Sequence, residues 1–127
     1  MKKIVLVNGL ITPDGTELIS HHVHDYVSYK DKNGEVYFID GGPYEYGIRQ
    51  SINKEQGKRI FLYSTDNHED IRNYFEWGTY GKEGKDKFRY VKLKDMTIEH
   101  INNILKSQFH IEETIAEIFK NELKFRK

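Results

Sequence analysis

Two tight-turn signals lie early in this chain, and they constrain its fold more than any other feature. The first, at residues 12–16, reads Thr-Pro-Asp-Gly-Thr. Proline presets φ there, aspartate bonds the nearby backbone, and glycine takes the left-handed conformation. The second, at residues 31–34, ends in Asn-Gly, the strongest short signal for a β-hairpin. The segments 3–12, 17–30 and 35–40 are therefore predicted to form three antiparallel strands in a meander.

The middle of the chain mixes further strands with irregular segments. Residues 44–52 are predicted to form a short helix or an irregular turn, and the polar residues 53–58 a surface loop. Residues 59–64 and 88–93 are rich in β-branched and aromatic side chains, which predicts a fourth and a fifth strand. Residues 78–87 are rich in glycine and lysine, which is typical of a loop.

Helical signals follow the strands. Asp66 and Glu69 fit a capping box that opens a helix over residues 66–77. A second helix is predicted over residues 97–106, with its threonine as the cap, because isoleucines recur there at helical spacing. A third is predicted over residues 111–125, with glutamates in its first turn and basic residues at its end.

Strands that come early and helices that come late predict an α+β fold. We expect an N-terminal antiparallel β-meander, with about five strands in total, packed against two to three C-terminal helices. A length of 127 residues predicts one domain, residues 1–127.

Composition excludes several kinds of site and disfavours several classes of partner. The chain has no cysteine, which excludes disulfides and thiolate chemistry. Twenty basic residues balance twenty acidic ones, so a general electrostatic attraction to nucleic acid is disfavoured, although a local basic patch is compatible with this balance. No apolar stretch approaches the roughly 20 residues that span a bilayer, so we expect no membrane association and a cytoplasmic protein. The near-zero net charge mildly favours self-association.

The most unusual stretch places His21, His22 and His24 beside Asp25 inside the predicted second strand. Side chains at i and i+2 of a strand point the same way, roughly 6.5–7 Å apart. That spacing in His22 and His24 suits a shared metal ion, because imidazole is a common metal ligand. Asp25 and Asp40 are the candidates for a third ligand.

Strand alternation favours a different interpretation. If Asn-Gly forms a two-residue type I′ turn, Tyr29 faces Phe38 across the hairpin, and the odd-numbered side of the second strand faces the core. Asp25 and Asp40 then point away from the paired histidines, unless a β-bulge intervenes. The opposite face carries His22, His24, Tyr26 and Tyr37. We predict that this polar and aromatic face is covered by a helix, by another subunit or by a ligand.

Trp77 begins a second candidate segment. The residues after it combine aromatic rings, glycines and lysines, and such a loop can stack a base and hold a phosphate. The same segment can equally be a connector with Trp77 in the core. Both interpretations stay open, and the nucleic-acid one predicts binding that weakens steeply with salt.

Two segments of the chain resemble small uncharacterised proteins that recur in tailed-phage and prophage genomes. Residues 77–84 read Trp-Gly-Thr-Tyr-Gly-Lys-x-Gly, and residues 91–105 read Val-Lys-Leu-Lys-Asp-Met-Thr-x-x-His-Ile-x-x-Ile-Leu. Residues 13–27 and 40–42 look like part of the same pattern. The resemblance implies a phage accessory protein in the cytoplasm of an infected host cell, used for host takeover, anti-defence or genome housekeeping. It implies no activity and no functional residue.

Our first functional hypothesis is a small non-enzymatic binding protein, forming a homo-oligomer and needing no cofactor. It would capture a host protein or a small nucleotide-like ligand through the histidine and tyrosine face, with Trp77 as a further contact. The alternative is a metal-dependent hydrolase, such as a phosphodiesterase. There, His22 and His24 would hold a divalent metal such as Zn or Mn, with Asp25 or Asp40 as third ligand or base.

Overall fold

A computed structural model describes most of the chain: residues 1–22, 25–40, 50–52, 57–80, 87–107 and 111–127, with the backbone alone at 50–52 and 107. Within these residues there are eight strands, three α-helices and one short 3₁₀ helix. Strands dominate the N-terminal half and helices the C-terminal half, so the predicted α+β class is confirmed. The strands outnumber the five or so expected from sequence, partly because the long second strand is split in two.

The elements have the following bounds. The strands are β1 (Val5–Ile11), β2 (Glu17–Ser20), β3 (Tyr26–Lys30), β4 (Val36–Asp40), β5 (Gln50–Ile52), β6 (Lys58–Tyr63), β7 (Glu76–Thr79) and β8 (Arg89–Lys92). The helices are α1 (His68–Tyr74), the 3₁₀ helix (Leu93–Asp95), α2 (Ile98–Ser107) and α3 (Glu113–Phe125).

The chain divides into two compact units. The first unit is residues 5–63, and the second unit joins residues 1–4 to residues 64–127. The first contains strands alone among its described residues, whereas the second contains all three α-helices. That residues 1–127 form a single domain stays a prediction.

The first unit contains two three-stranded antiparallel sheets. One has the order β2-β1-β6 and the other β3-β4-β5. Side chains from both sheets form one apolar cluster, made by Leu10, Leu18, Tyr37 and Ile39, with Val27 and Tyr29 packed against it. Burying each such side chain stabilises the fold by about 1.5–3 kcal/mol.

The first predicted turn is confirmed. The backbone N–H of Gly15 donates to the carbonyl of Thr12 at 2.9 Å, and Gly15 has φ of +90°. The carboxylate of Asp14 accepts the backbone N–H of Thr16 at 3.1 Å, a hydroxyl bond from Thr12 and a bond from the Tyr29 hydroxyl at 2.6 Å. These bonds hold the pKa of Asp14 well below its usual range. The turn is thereby tied to β3.

The second predicted turn is a hairpin of a different type. The backbone N–H of Gly34 donates to the Asp31 carbonyl at 3.0 Å, and Asp31 itself pairs with Glu35. Gly34 has φ of +84°, and the Asp31 carboxylate accepts the N–H groups of Asn33 and Glu35, both at 2.9 Å. The loop therefore holds three residues and ends in a left-handed glycine bulge. The predicted two-residue type I′ turn is wrong.

This longer loop shifts the strand register by one residue. Tyr29 pairs with Tyr37, and Tyr26 pairs with Asp40; the predicted partner of Tyr29, Phe38, pairs instead with Ser28. A shift of one residue exchanges the two faces of a strand. The odd side of β3 faces the core as predicted, but on β4 it is Tyr37 that points inward.

The predicted second strand, residues 17–30, is interrupted. It separates into β2, which pairs with β1, and β3, which pairs with β4 in the other sheet. Between them the Ser20 hydroxyl donates to the carbonyl oxygens of His22 and Asp25, at 3.2 and 3.0 Å. His21 and His22 therefore lie in the connection between the two sheets and not in a strand.

The second unit begins with the helix that follows β6. Asn67, one residue later than predicted, caps α1, and its side chain accepts the N–H of Glu69 at 2.8 Å. The helix ends at Tyr74, and the next residues form β7, which pairs with β8 in an antiparallel hairpin. The fifth predicted strand, residues 88–93, is thus found as β8. Of the predicted loop 78–87, residues 81–86 lie outside the described residues.

The remaining helices are close to expectation. The predicted cap of α2 is confirmed, because the backbone N–H of His100 donates to the Thr97 hydroxyl at 3.0 Å. Glu112 caps α3, and the helix begins at Glu113, two residues later than the predicted start at residue 111. The buried apolar side chains of this unit include Ile71, Phe75, Leu93, Met96, Ile101, Ile104, Ile118 and Phe119.

Two expectations fall partly or wholly outside the described residues. The predicted helix or turn at 44–52 coincides with β5 only over its last three residues, and its other residues are not described. Most of the predicted loop at 53–58 is likewise undescribed. Across the residues that are described, no helix combines the length and apolarity needed to cross a membrane.

Candidate functional site

The predicted histidine and tyrosine face is not assembled as a unit. Tyr26 lies on the outer face of its sheet, 57% exposed, and its ring stacks on Phe38 with the centroids 5.3 Å apart. Tyr37 is 2% exposed and belongs to the apolar cluster on the inner face. The expectation that the two tyrosines share a face is therefore wrong, and the cause is the one-residue register shift.

The histidines divide between described and undescribed residues. His22 is exposed in the turn after β2, and His24 lies outside the described residues. The carboxylate of Asp25 accepts the backbone N–H of His21 at 2.8 Å and lies 3.6 Å from its imidazole Nδ1. The structure thus pairs Asp25 with His21, the histidine that strand alternation placed on the same side.

The metal hypothesis stays a prediction. Asp40 pairs with Tyr26 at the end of the β3–β4 hairpin. Among the side chains the structure describes, no three His, Asp or Glu residues come together as metal ligands. The proposed ligand set cannot be assembled from the described residues alone, because His24 is not among them. The set comprises His22, His24, Asp25 and Asp40.

Trp77 lies in β7 and packs inward. Its ring meets Phe119 of α3 edge-on, with centroids 5.1 Å apart and planes at 86°. This contact corresponds to the connector interpretation, in which the indole helps to hold the hairpin on the helix. Its role as a ligand contact stays a prediction.

A cleft in the second unit is the strongest candidate site. It has a volume of about 380 Å³, within the range of about 300–1,000 Å³ usual for small-molecule sites. It lies where β8, the 3₁₀ helix and α2 meet, and its lining is formed by Arg89, Val91, Asp95, Met96, Thr97, Glu99, His100 and Asn103.

The local fold explains why these side chains converge. The 3₁₀ helix follows β8 directly, and the backbone N–H of Leu93 donates to the Phe75 carbonyl at 2.9 Å, which fixes its start. Met96 is 3% exposed and forms an apolar part of the lining. Thr97 then opens α2 as its cap. Because His100 and Asn103 follow at intervals of three residues, they lie on the same side of the helix as Thr97.

The cleft contains both signs of charge. Arg89 contributes a cation, whereas Asp95 and Glu99 contribute carboxylates. Burial, and then the charge of Arg89, lower the pKa of His100 below its ordinary value of 6.5. The imidazole is therefore mainly neutral at pH 7, with one nitrogen able to donate a hydrogen bond and the other able to accept one.

Sequence reasoning gave His100 only a local hydrogen-bonding role. The signal that marks the site is the three-residue spacing of the polar side chains Thr97, His100 and Asn103, which run along α2 beside its buried isoleucines. That pattern by itself is typical of a solvated helix face. The contribution of Arg89 and Val91 depends on the position of β8, which periodicity does not reveal.

A buried carboxylate in α3 was also missed. Glu122 is fully buried and receives hydrogen bonds from Arg72, Arg126 and His68. Burial raises the pKa of Glu122, but the bonds from the three partners outweigh it, so the pKa is lowered to about 2. Both carboxylate oxygens of Glu122 accept hydrogen bonds from protein side chains, which indicates a structural role.

Comparison with known proteins adds no relative. No protein-family model matches the chain, and neither does any curated protein or any solved structure.

Proposed function

We propose that this protein is a small non-enzymatic binding protein whose cleft beside His100 takes a nucleoside-like ligand. The observation that carries the proposal is the cleft itself, since its volume suits such a molecule and its lining combines apolar walls with convergent polar groups. The proposal moves the ligand from the histidine and tyrosine face, where we first expected it, to the second unit.

The charges of the cleft narrow the ligand class. One guanidinium and two carboxylates line it, so a ligand with several phosphates would meet net repulsion at short range. A neutral or zwitterionic ligand avoids that cost. A nucleoside carries both donors and acceptors, which the His100 imidazole and the Asn103 amide can satisfy.

The position of the hydroxyl group in the cleft supports ligand binding without catalysis. Thr97 supplies the single hydroxyl of the lining, and its oxygen accepts the backbone N–H of His100 at 3.0 Å. This bond caps α2, so the oxygen is held as part of the helix start. This arrangement supports a role for Thr97 as a fixed part of the binding surface and not as an activated nucleophile.

The cellular setting is proposed from the resemblance alone. The protein is proposed to be a phage accessory protein in the host cytoplasm that acts in anti-defence or host takeover. It would act by sequestering the ligand or by contacting a host protein. Self-association into a homo-oligomer belongs to the same proposal, supported by the near-zero net charge.

The test is a titration of the isotope-labelled protein with neutral nucleosides, followed by two-dimensional amide NMR. We expect saturable shifts centred on residues 97–103, which Asn103→Ala abolishes. Asn102→Ala is the matched control, because Asn102 is in the same helix but does not line the cleft. Shifts that are absent, that lie elsewhere or that survive Asn103→Ala unchanged would overturn the proposal.

A further inference from the structure

The residue that ends α3 donates hydrogen bonds to the backbone of the 3₁₀ helix. Arg126 Nη2 donates to the carbonyl oxygen of Leu93 at 2.9 Å and, less closely, to that of Lys94 at 3.4 Å. Bonds from a charged donor to a carbonyl are stronger than those between neutral groups. The guanidinium therefore joins two segments that lie 33 residues apart in sequence.

A second contact fixes the direction in which this guanidinium points. Its Nε atom donates to Oε2 of the buried Glu122 at 2.6 Å, one turn earlier in α3. A guanidinium is a rigid planar group, so a bond that holds Nε also sets the position of Nη2. Glu122 is itself held by Arg72 of α1 through two bonds of 2.9 Å. The donor that reaches the 3₁₀ helix is therefore oriented by a buried ion-pair network.

The 3₁₀ helix has few other polar contacts that could hold it. Within the described part of the chain, residues 93–96 form hydrogen bonds to other elements at only two places. Arg126 provides one, and the other is the bond from the Leu93 N–H to the Phe75 carbonyl, at 2.9 Å. A 3₁₀ helix has poor internal hydrogen-bond geometry. Its position therefore depends on these two anchors and on the burial of Leu93 and Met96.

The 3₁₀ helix leads directly into the lining of the cleft. Asp95 is its last residue, Met96 and Thr97 follow, and all three line the cleft. Arg126 is not part of that lining. A displacement of Leu93 or Lys94 would nevertheless move three adjacent lining residues, so the contacts of Arg126 bear on the shape of the cleft.

We propose that Arg126 is a positioning residue for the cleft. It holds the carbonyl groups of the 3₁₀ helix, so that this part of the lining is ordered before a ligand arrives. A preordered site binds more tightly because less conformational freedom is lost on binding. The effect on ligand affinity rests on the function proposed above, whereas the ordering of the 3₁₀ helix does not.

The matched pair of variants is Arg126→Lys and Arg72→Lys. Each removes one guanidinium from the Glu122 carboxylate and keeps the positive charge. Lysine is a point charge and cannot reproduce the bonds that a guanidinium makes in two directions. Within the described residues, Arg72 makes no hydrogen bond to the 3₁₀ helix. Arg72→Lys therefore reports the weakening of the ion-pair network alone.

Amide hydrogen exchange of the ligand-free protein tests the ordering directly. The Met96 N–H donates to the Leu93 carbonyl at 3.2 Å, whereas the Phe75 N–H donates to the last turn of α1 at 2.8 Å and reports the stability of the unit. In Arg126→Lys, exchange at Met96 should accelerate about tenfold more than at Phe75, as expected for losing a hydrogen bond from a charged group. In Arg72→Lys, exchange at Met96 should accelerate no more than at Phe75.

Titrations with adenosine, guanosine, cytidine and uridine test the role in binding. For each of these that binds the wild type, Arg126→Lys should weaken the affinity about tenfold, and Arg72→Lys should weaken it less than about twofold. The bound nucleoside should also slow exchange at Met96 of the wild type more than at Phe75, because coupling between two sites is reciprocal. A residue that only stabilises the unit would not produce that difference.

The outcomes separate this proposal from the proposed function. If no nucleoside shifts the wild-type amide signals, the proposed function fails, and the exchange ratios alone decide whether Arg126 orders the 3₁₀ helix. Equal exchange ratios in the two variants, or equal affinity of the wild type and Arg126→Lys for a nucleoside, would overturn the positioning role. An unprotected Met96 amide in the wild type would overturn it without any variant. If Arg126→Lys does not fold, the wild type decides, since a bound nucleoside that slows both amides equally contradicts the role.

Discussion

Arg72 holds the carboxylate of Glu122 in a two-point ion pair, although Glu122 is fully buried. The Arg72 Nε atom lies 2.9 Å from Oε1, and Nη2 lies 2.9 Å from Oε2. Arg126 donates to the same carboxylate at 2.6 Å and also to the Leu93 carbonyl at 2.9 Å. The network therefore connects α1, α3 and the start of the 3₁₀ helix that forms one side of the cleft.

Removing the buried charge should destabilise the second unit. Glu122→Gln leaves Arg72 and Arg126 without their counter-charge, and breaking a buried pair in this way costs about 3–5 kcal/mol. Urea denaturation followed by circular dichroism measures the loss. Glu117→Gln is the matched control, because Glu117 is an exposed residue of the same helix, and it should change stability by less than about 0.5 kcal/mol. Equal effects of the two variants would show that the network contributes nothing specific.

The same carboxylate should make stability depend on acidity. The pKa of Glu122 is lowered to about 2 from 4.5, so the folded state binds the proton less readily than the unfolded state. The stabilisation is fully present above about pH 4.5 and is lost as the pH falls toward 2. Asp14 also has a lowered pKa, and comparison of the wild type with Glu122→Gln cancels its contribution. We expect the stability difference between these two proteins to shrink over that window. A constant difference from pH 6 to pH 2.5 would contradict the assignment.

The imidazole of His100 should have a lower pKa than an ordinary histidine. Burial lowers its pKa first, and the positive charge of Arg89 lowers it further. Arg89→Gln removes the second cause, so we expect the pKa of His100 to rise part of the way toward 6.5. NMR of the imidazole protons measures both values. Lys106→Gln, an exposed cation change on the same helix, should leave the titration unmoved, and a pKa insensitive to Arg89→Gln would place the guanidinium away from the ring.

Local chemistry predicted much of the fold, since turns and caps depend on residues close in sequence. The Asp14 and Gly15 turn and the Thr97 cap have the bonds that their side chains predict. The α1 cap was misplaced by one residue, because Asp66 and Asn67 are both good capping residues and the structure uses the second.

Strand register and contacts between distant residues could not be predicted from residues close in sequence. The Asn33 and Gly34 pair is compatible with a two-residue or a three-residue loop, and the extra carboxylate bonds from Asp31 favour the longer one. Likewise, Glu122 looks like an ordinary polar helix residue until α1 places Arg72 beside it. The cleft has the same origin, because its lining comes from three elements whose packing no single periodicity encodes.

The register can be tested by a matched pair of substitutions on β4. Tyr37 is buried in the apolar cluster, whereas its neighbour Phe38 lies on the outer face against Tyr26. Tyr37→Ala should therefore cost about 3–5 kcal/mol, the range for deleting a buried aromatic ring. Phe38→Ala should cost about 1 kcal/mol, since it removes one partly exposed stacked pair. Chemical denaturation of the two variants measures the difference. The two-residue turn predicts the opposite ranking, so a larger loss for Phe38→Ala would restore that register and return Tyr37 to the face of Tyr26.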